Sequence, residues 1–263
     1  MKNANAVSTP LSSTTTLWQL SGHSLTNPTV YRQVVGSLQY LSLTCLDLCF
    51  AINRLSQFMH SPTDAHWQAV KRVLRYLNGT KFHDLLIRPQ TSLSLHGFFD
   101  ADWAGEKNNL ISTIGYVMYL GSNLVSWKAT KQCAVAQSST KVEYKALVAA
   151  SSKVVWICNL LHELGVYQST PPVLYCDNLG AIYLNRNPIM HSRMKHIAID
   201  FHFVRDLVDQ KILLVSHISS KDQLANGLTK PLSSNRFISL RSKIGVTDGS
   251  SILWGHVKER ISL

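Results

Sequence analysis

Leu95-His96-Gly97-Phe98-Phe99-Asp100 is an apolar run that closes on an acid, and its reading decides the fold. Apolar and aromatic side chains bounded by turn residues make residues 93–100 a strand, with Asp100 at its end. Two more acids stand in different local settings. Asp177 follows a second strand-like run, Val173-Leu174-Tyr175-Cys176, and Glu143 lies in the first turns of a helical stretch over about 138–164. Two acids at strand ends and one on a helix can converge at one edge of a sheet. Converging carboxylates with few basic neighbours repel one another unless a divalent cation sits between them. The set therefore predicts metal-assisted phosphoryl chemistry.

Working outward, residues 112–120 and 123–129 read as two further strands joined by the hairpin signal Gly121-Ser122. Strands over 172–176 and 212–218 follow the long helix, with helices expected at about 178–184, 196–209 and 221–230. Three strands in a meander, then helix–strand crossovers, imply a mixed α/β sheet with helices on both faces. Upstream the period changes to 3.6. Val34, Val35, Leu38 and Leu41, then Leu48, Ala51, Ile52 and Leu55, give helical spacing over 29–59. A third helix is predicted from about Asp64 to Leu77, ending at Asn78-Gly79, with Lys71, Arg72 and Arg75 opposite its apolar side. The expected divisions are a disordered lead-in over 1–28, a helical region over 29–90, the sheet-bearing region over 91–232 and a tail over 233–263.

The 263 residues carry 26 Lys and Arg against 15 Asp and Glu, a formal net charge of +11. That surplus, with only 16% of residues charged, suggests a polyanionic partner; a basic globule with no particular partner is the alternative. The five cysteines show no Cys-x-x-Cys pair and no metal-ligand spacing, so they are expected as buried, reduced thiols of an intracellular protein. No run approaches the ~18 apolar residues of a membrane span. The Ser- and Thr-rich start lacks the apolar core of a signal peptide, and nothing chooses between cytoplasm and nucleus.

The strings around the acids resemble the C-terminal part of the Pol polyprotein of plant copia-type LTR retrotransposons, from about Thr29 to Val246. The carriers are Tyr-Arg-Gln-Val-Val-Gly-Ser-Leu-Gln-Tyr-Leu (31–41), Ala-Val-Lys-Arg-Val-Leu-Arg-Tyr-Leu-Asn-Gly-Thr (69–80), Asp-Ala-Asp-Trp-Ala-Gly (100–105), Ser-Ser-Thr-Lys-Val-Glu-Tyr (138–144), Cys-Asp-Asn (176–178) and His-Ser-Arg-Met-Lys-His-Ile (191–197). The resemblance implies a ribonuclease H-like α/β fold, a five-stranded mixed sheet flanked by helices, preceded by a small helical segment from the reverse transcriptase thumb and connection. It implies hydrolysis of RNA in an RNA–DNA hybrid with two Mg²⁺ or Mn²⁺ ions and no small-molecule cofactor. Asp100 and Glu143 would hold one ion, Asp100 and Asp177 the other, with help from Asn226; the loop histidine that assists product release falls on His217. Lys71, Arg72, Arg75, Arg193 and Lys195 are the expected nucleic-acid contacts. His191 and His196 read as part of a basic, phosphate-touching segment or a structural loop, and Trp103 and Trp127 as core residues or base-stacking platforms.

Four departures stand out. The family usually reads Leu-Ala-Asp where this chain has Leu224-Ala225-Asn226, so one charge is missing. It usually reads Arg-Pro-Asp where Cys45-Leu46-Asp47 stands, and basic residues where Leu110-Ile111 stands. The paired aspartates of the polymerase are absent from this sequence, so no polymerase activity is expected. An enzyme, a catalytically inactive nucleic-acid-binding module and an inert remnant all remain open on these residues.

Overall fold

The structure is a computed structural model, which describes residues 4–14, 17–18, 21–89, 92–103, 105, 110–136, 138–186 and 198–249. Along the chain run α1 (Pro28–Leu41), a short 3-10 turn (Leu46–Leu48), α2 (Cys49–Ser56), α3 (Asp64–Gly79) and β1 (His83–Leu85). Next come β2 (Leu95–Asp102), β3 (Thr113–Leu120), β4 (Asn123–Lys131), α4 (Ser139–Glu163), β5 (Val173–Cys176), α5 (Leu179–Arg186) and α6 (Ala198–Asp209). The series closes with β6 (Leu214–His217), α7 (Asn226–Thr229), α8 (Ser234–Ile244) and β7 (Val246–Asp248). No helix among the described residues is long and apolar enough to cross a membrane.

The chain divides into two compact units. The first joins Met1–Ile87 to Pro231–Leu263, and the second is Arg88–Lys230. In the first, α1 begins at a proline with Asn27 as its N-cap, whose side chain accepts from the Thr29 amide at 3.0 Å. Tyr31, Val35 and Leu38 of α1, Ile52 and Leu55 of α2, and Val70, Val73 and Tyr76 of α3 form its core. Two expectations are corrected here. The described part of residues 1–28 is no disordered lead-in: Leu17 and Thr9 are buried, and Arg72 and Arg75 of α3 donate to Thr9 Oγ1 and the Asn5 carbonyl, each at 2.8 Å. The described part of the expected tail, residues 233–249, is no mere tail: α8 puts Phe237 into the helical core, and β7 pairs antiparallel with β1.

The second unit is built on a sheet of order β4-β3-β2-β5-β6. β2, β3 and β4 pair antiparallel, and β5 and β6 add in parallel beside β2. The 25-residue α4 supplies a buried stripe, Leu147, Ala150, Val154, Ile157 and Leu161, at the three- and four-residue spacing of a helix face. It packs on Phe99, Met118 and Leu174, each large side chain contributing about 1.5–3 kcal/mol on burial. Ala146 and Ala150 keep that helix close to the sheet, and Tyr144 stacks on Phe201 to tie α4 to α6. The last expected helix, 221–230, is shortened to Asn226–Thr229, because Gln223 turns inward: its Nε2 donates to the Phe99 carbonyl at 2.9 Å and the Tyr175 carbonyl at 3.3 Å. Of the cysteines, Cys49 and Cys176 are buried while Cys133 is exposed, contrary to the expectation of uniformly buried thiols.

Candidate active site

Parallel register places two of the acids. Phe98 on β2 faces Tyr175 on β5, so continuing the same register by two residues sets Asp100 beside Asp177. Glu143 comes from the second turn of α4, whose start is fixed by Ser138 accepting from the Lys141 amide at 3.3 Å. The result is a cluster in which Asp100, Glu143 and Asp177 each offer a carboxylate oxygen within 4.8 Å of the others.

Asp100 and Glu143 are buried. Burial, partly offset by the Lys230 ammonium and the Thr229 hydroxyl and added to by Asp177, raises the Asp100 pKa above the ordinary carboxylate value. Burial first, then the charges of Asp100 and Asp177, push Glu143 up to about 9. Among the described buried oxygens without a hydrogen-bond partner are Glu143 Oε2 and Asn226 Oδ1. Unpaired buried acceptors beside crowded carboxylates are the donor set a hard divalent cation takes, so the residues present fit such an ion.

The segment leading through α7 fastens this cluster. Thr229 Oγ1 donates to Asp100 Oδ2, and Lys230 Nζ lies 3.4 Å from the same oxygen and 3.5 Å from Oδ1. Ser220 Oγ donates to Asp177 Oδ2 at 2.7 Å, while Asn226 Nδ2 donates to the Ser220 carbonyl at 3.1 Å. The close seat of α7 depends on Gly115, which pairs with Asp100 across the β2–β3 ladder. A Cβ there would lie 2.7 Å from Leu228 Cβ and 3.1 Å from Thr229 Cγ2. Ser220, Gln223, Thr229 and Lys230 were not legible as site residues, because what recruits them is this docking and not a local pattern.

The remaining expected residues are placed variously. His217 ends β6 as an exposed side chain, paired with Cys176 one residue before Asp177. Lys71 sits half-buried on α3, and Arg72 and Arg75 are engaged by the N-terminal segment as described. His191, Arg193, Lys195 and His196 lie outside the described residues. Trp103 is 51% exposed, with its indole nitrogen donating to the Ala136 carbonyl, so it is not the core residue expected; Trp127 is half-buried.

The strand order 4-3-2-5-6, with α4 against its face and acids at the ends of its two central strands, is a ribonuclease H-like fold. The chain is 53% identical over 247 residues to the retrovirus-related Pol polyprotein from transposon RE1 of Arabidopsis thaliana, covering 94% of this chain and 17% of that polyprotein. It is also 53% identical over 246 residues to the corresponding polyprotein from transposon RE2 of the same plant, with the same coverages. Over most of its length the chain is thus similar to a segment of retrovirus-related Pol polyproteins of plant transposons, and it spans 17% of these relatives' length. No protein-family model matches the chain. Among solved structures, a ribonuclease H1 isolated from compost by a metagenomic approach superposes with a TM-score of 0.41 at 13% identity, over 52% of this chain and 93% of its own. The strand order, rather than that superposition, carries the fold.

Proposed function

We propose that the Arg88–Lys230 unit hydrolyses the RNA strand of an RNA–DNA hybrid with two divalent metal ions, Mg²⁺ or Mn²⁺. The observation that carries this reading is the convergence of Asp100, Glu143 and Asp177, whose carboxylate oxygens lie within 4.8 Å of one another. Bound ions would supply Lewis acidity at the scissile phosphate and an acidified water. Asp100 and Glu143 would hold the first, and Asp100 and Asp177 the second. Asn226 offers the second a neutral oxygen through its unpaired Oδ1. Ser220 holds the Asp177 carboxylate and Thr229 that of Asp100, so neither has to be ordered when the substrate arrives. His217, exposed at the end of β6, is assigned the product-release role, and Lys71 a contact to the hybrid backbone together with Arg193 and Lys195. The helices of residues 29–90 are assigned to the end of the reverse transcriptase, its thumb and connection.

A second reading, a module that binds nucleic acid without cutting it, is favoured by one feature, the missing charge at Asn226. The two are separated by a hybrid-cleavage assay on the wild-type chain and Asn226→Asp. The variant is expected to cleave at least tenfold faster, the equivalent of ~1.4 kcal/mol of barrier. Equal rates would overturn the account of this fourth position. Binding of the hybrid by both proteins with cleavage by neither would establish the second reading.

A further inference from the structure

Lys230 is the one described cation that reaches the carboxylate cluster, and its place is set by the backbone rather than by chance on a surface. It caps α7, with its amide donating to the Asn226 carbonyl at 3.3 Å. The four-residue helix therefore delivers three groups together: Asn226 with an unpaired oxygen, Thr229 bonded to Asp100, and Lys230 spanning both Asp100 oxygens. The lysine side chain is 37% exposed against 2% for Asp100, so its ammonium has a path outward to solvent while the carboxylate does not. Gly115 makes the arrangement possible by letting α7 close on β3 opposite Asp100.

We propose that Lys230 is a built-in counter-ion that competes with a divalent cation for Asp100, swinging out as the ion enters, so that it sets the metal concentration at which the site fills. This rests on the metal-site reading above. The physical ground is charge. One ammonium, with a proton on Glu143, relieves part of the crowding of three carboxyl groups, and a divalent ion relieves more. The lysine need not leave the site entirely: a long stem and an exposed head allow it to move from Asp100 toward solvent or a substrate phosphate at small cost. Thr229 does not compete as a second cation would, because its neutral hydroxyl donates to Oδ2 alone.

The test is Mn²⁺ binding to the full chain, read by titration calorimetry and by electron paramagnetic resonance of the free ion, for the wild type, Lys230→Gln, Lys230→Arg and Asp100→Asn. Lys230→Gln is expected to bind Mn²⁺ about two- to fivefold tighter, the scale of a partly exposed ion pair. Lys230→Arg should stay near the wild type. In chelator Lys230→Gln should melt below the wild type, and in saturating Mn²⁺ it should melt at or above it. A merely structural lysine would lower both melting temperatures and weaken binding. Asp100-dependent binding of equal or lower affinity in Lys230→Gln would overturn this inference alone. Absence of any Asp100-dependent binding in every protein would overturn the metal-site reading, and the inference with it.

Discussion

Each unit gathers a hydroxyl and a cation about an acid, and the two arrangements differ in how the cation is engaged and in what is left over. In the first unit the Tyr76 hydroxyl donates to Asp47 Oδ2, and Arg241 Nη1 donates to the Tyr76 oxygen at 3.0 Å. The half-buried Asp47 and the Arg241 guanidinium are thus linked through one hydroxyl. In the second unit Thr229 and Lys230 both reach Asp100 directly, and Glu143 and Asp177 bring two more carboxyl groups to the spot. The first arrangement ties α3 and α8 together through the Tyr76 hydroxyl. The second carries surplus negative charge and two unpaired oxygens, which a fold tolerates where a ligand is to be bound.

Substitutions at the paired positions sharpen that contrast. Asp100→Asn is expected to lower hybrid cleavage about 10³-fold, on the order of 4 kcal/mol of barrier. Asp47→Asn should leave cleavage within twofold and instead lower unfolding stability by about 1–2 kcal/mol in denaturant titration. A large loss of cleavage in Asp47→Asn would erase the distinction. Gly115→Val tests the docking of α7. Overpacking against Leu228 and Thr229 is expected to cost about 1–3 kcal/mol of stability and to weaken Mn²⁺ binding together with it.

A smaller effect follows from protonation. The Glu143 carboxyl is pushed up to about 9, so in chelator the folded state keeps a proton that the unfolded chain has released above its ordinary carboxylate pKa. Stability contributed this way is present at low pH and is lost as pH rises toward 9. Melting temperature in chelator should therefore fall across that window, and Glu143→Gln should flatten the fall. Saturating Mn²⁺ should remove it as well, since the ion replaces the proton.

The difference between the units also explains what could be read in the sequence. The three acids were legible because each follows a short apolar run or opens a long amphipathic one, and strand periodicity alone carries Asp100 and Asp177 to the same edge. Asn226 was legible as a position only through the family motif. Thr229, Lys230, Ser220 and Gln223 were not, since their roles depend on a four-residue helix settling over Gly115. In the first unit, α8 did leave a signal, with Phe237, Leu240 and Ile244 at helical spacing ahead of Gly245 in the left-handed conformation. β1 and β7 left none: three residues are too few for a period, and each finds its partner far along the chain. The N-terminal segment has a disordered composition, yet Thr9 and Leu17 are buried through contacts made after the helices pack.

The central claim is that Asp100, Glu143 and Asp177 form one metal-holding site. Calorimetric titration of Mn²⁺ into the full chain at neutral pH, beside Asp100→Asn and Glu143→Gln, measures it directly. The account predicts saturable binding by the wild type, with loss of affinity of tenfold or more in each variant. Binding that is unchanged by both substitutions, or no saturable binding at all, would contradict it.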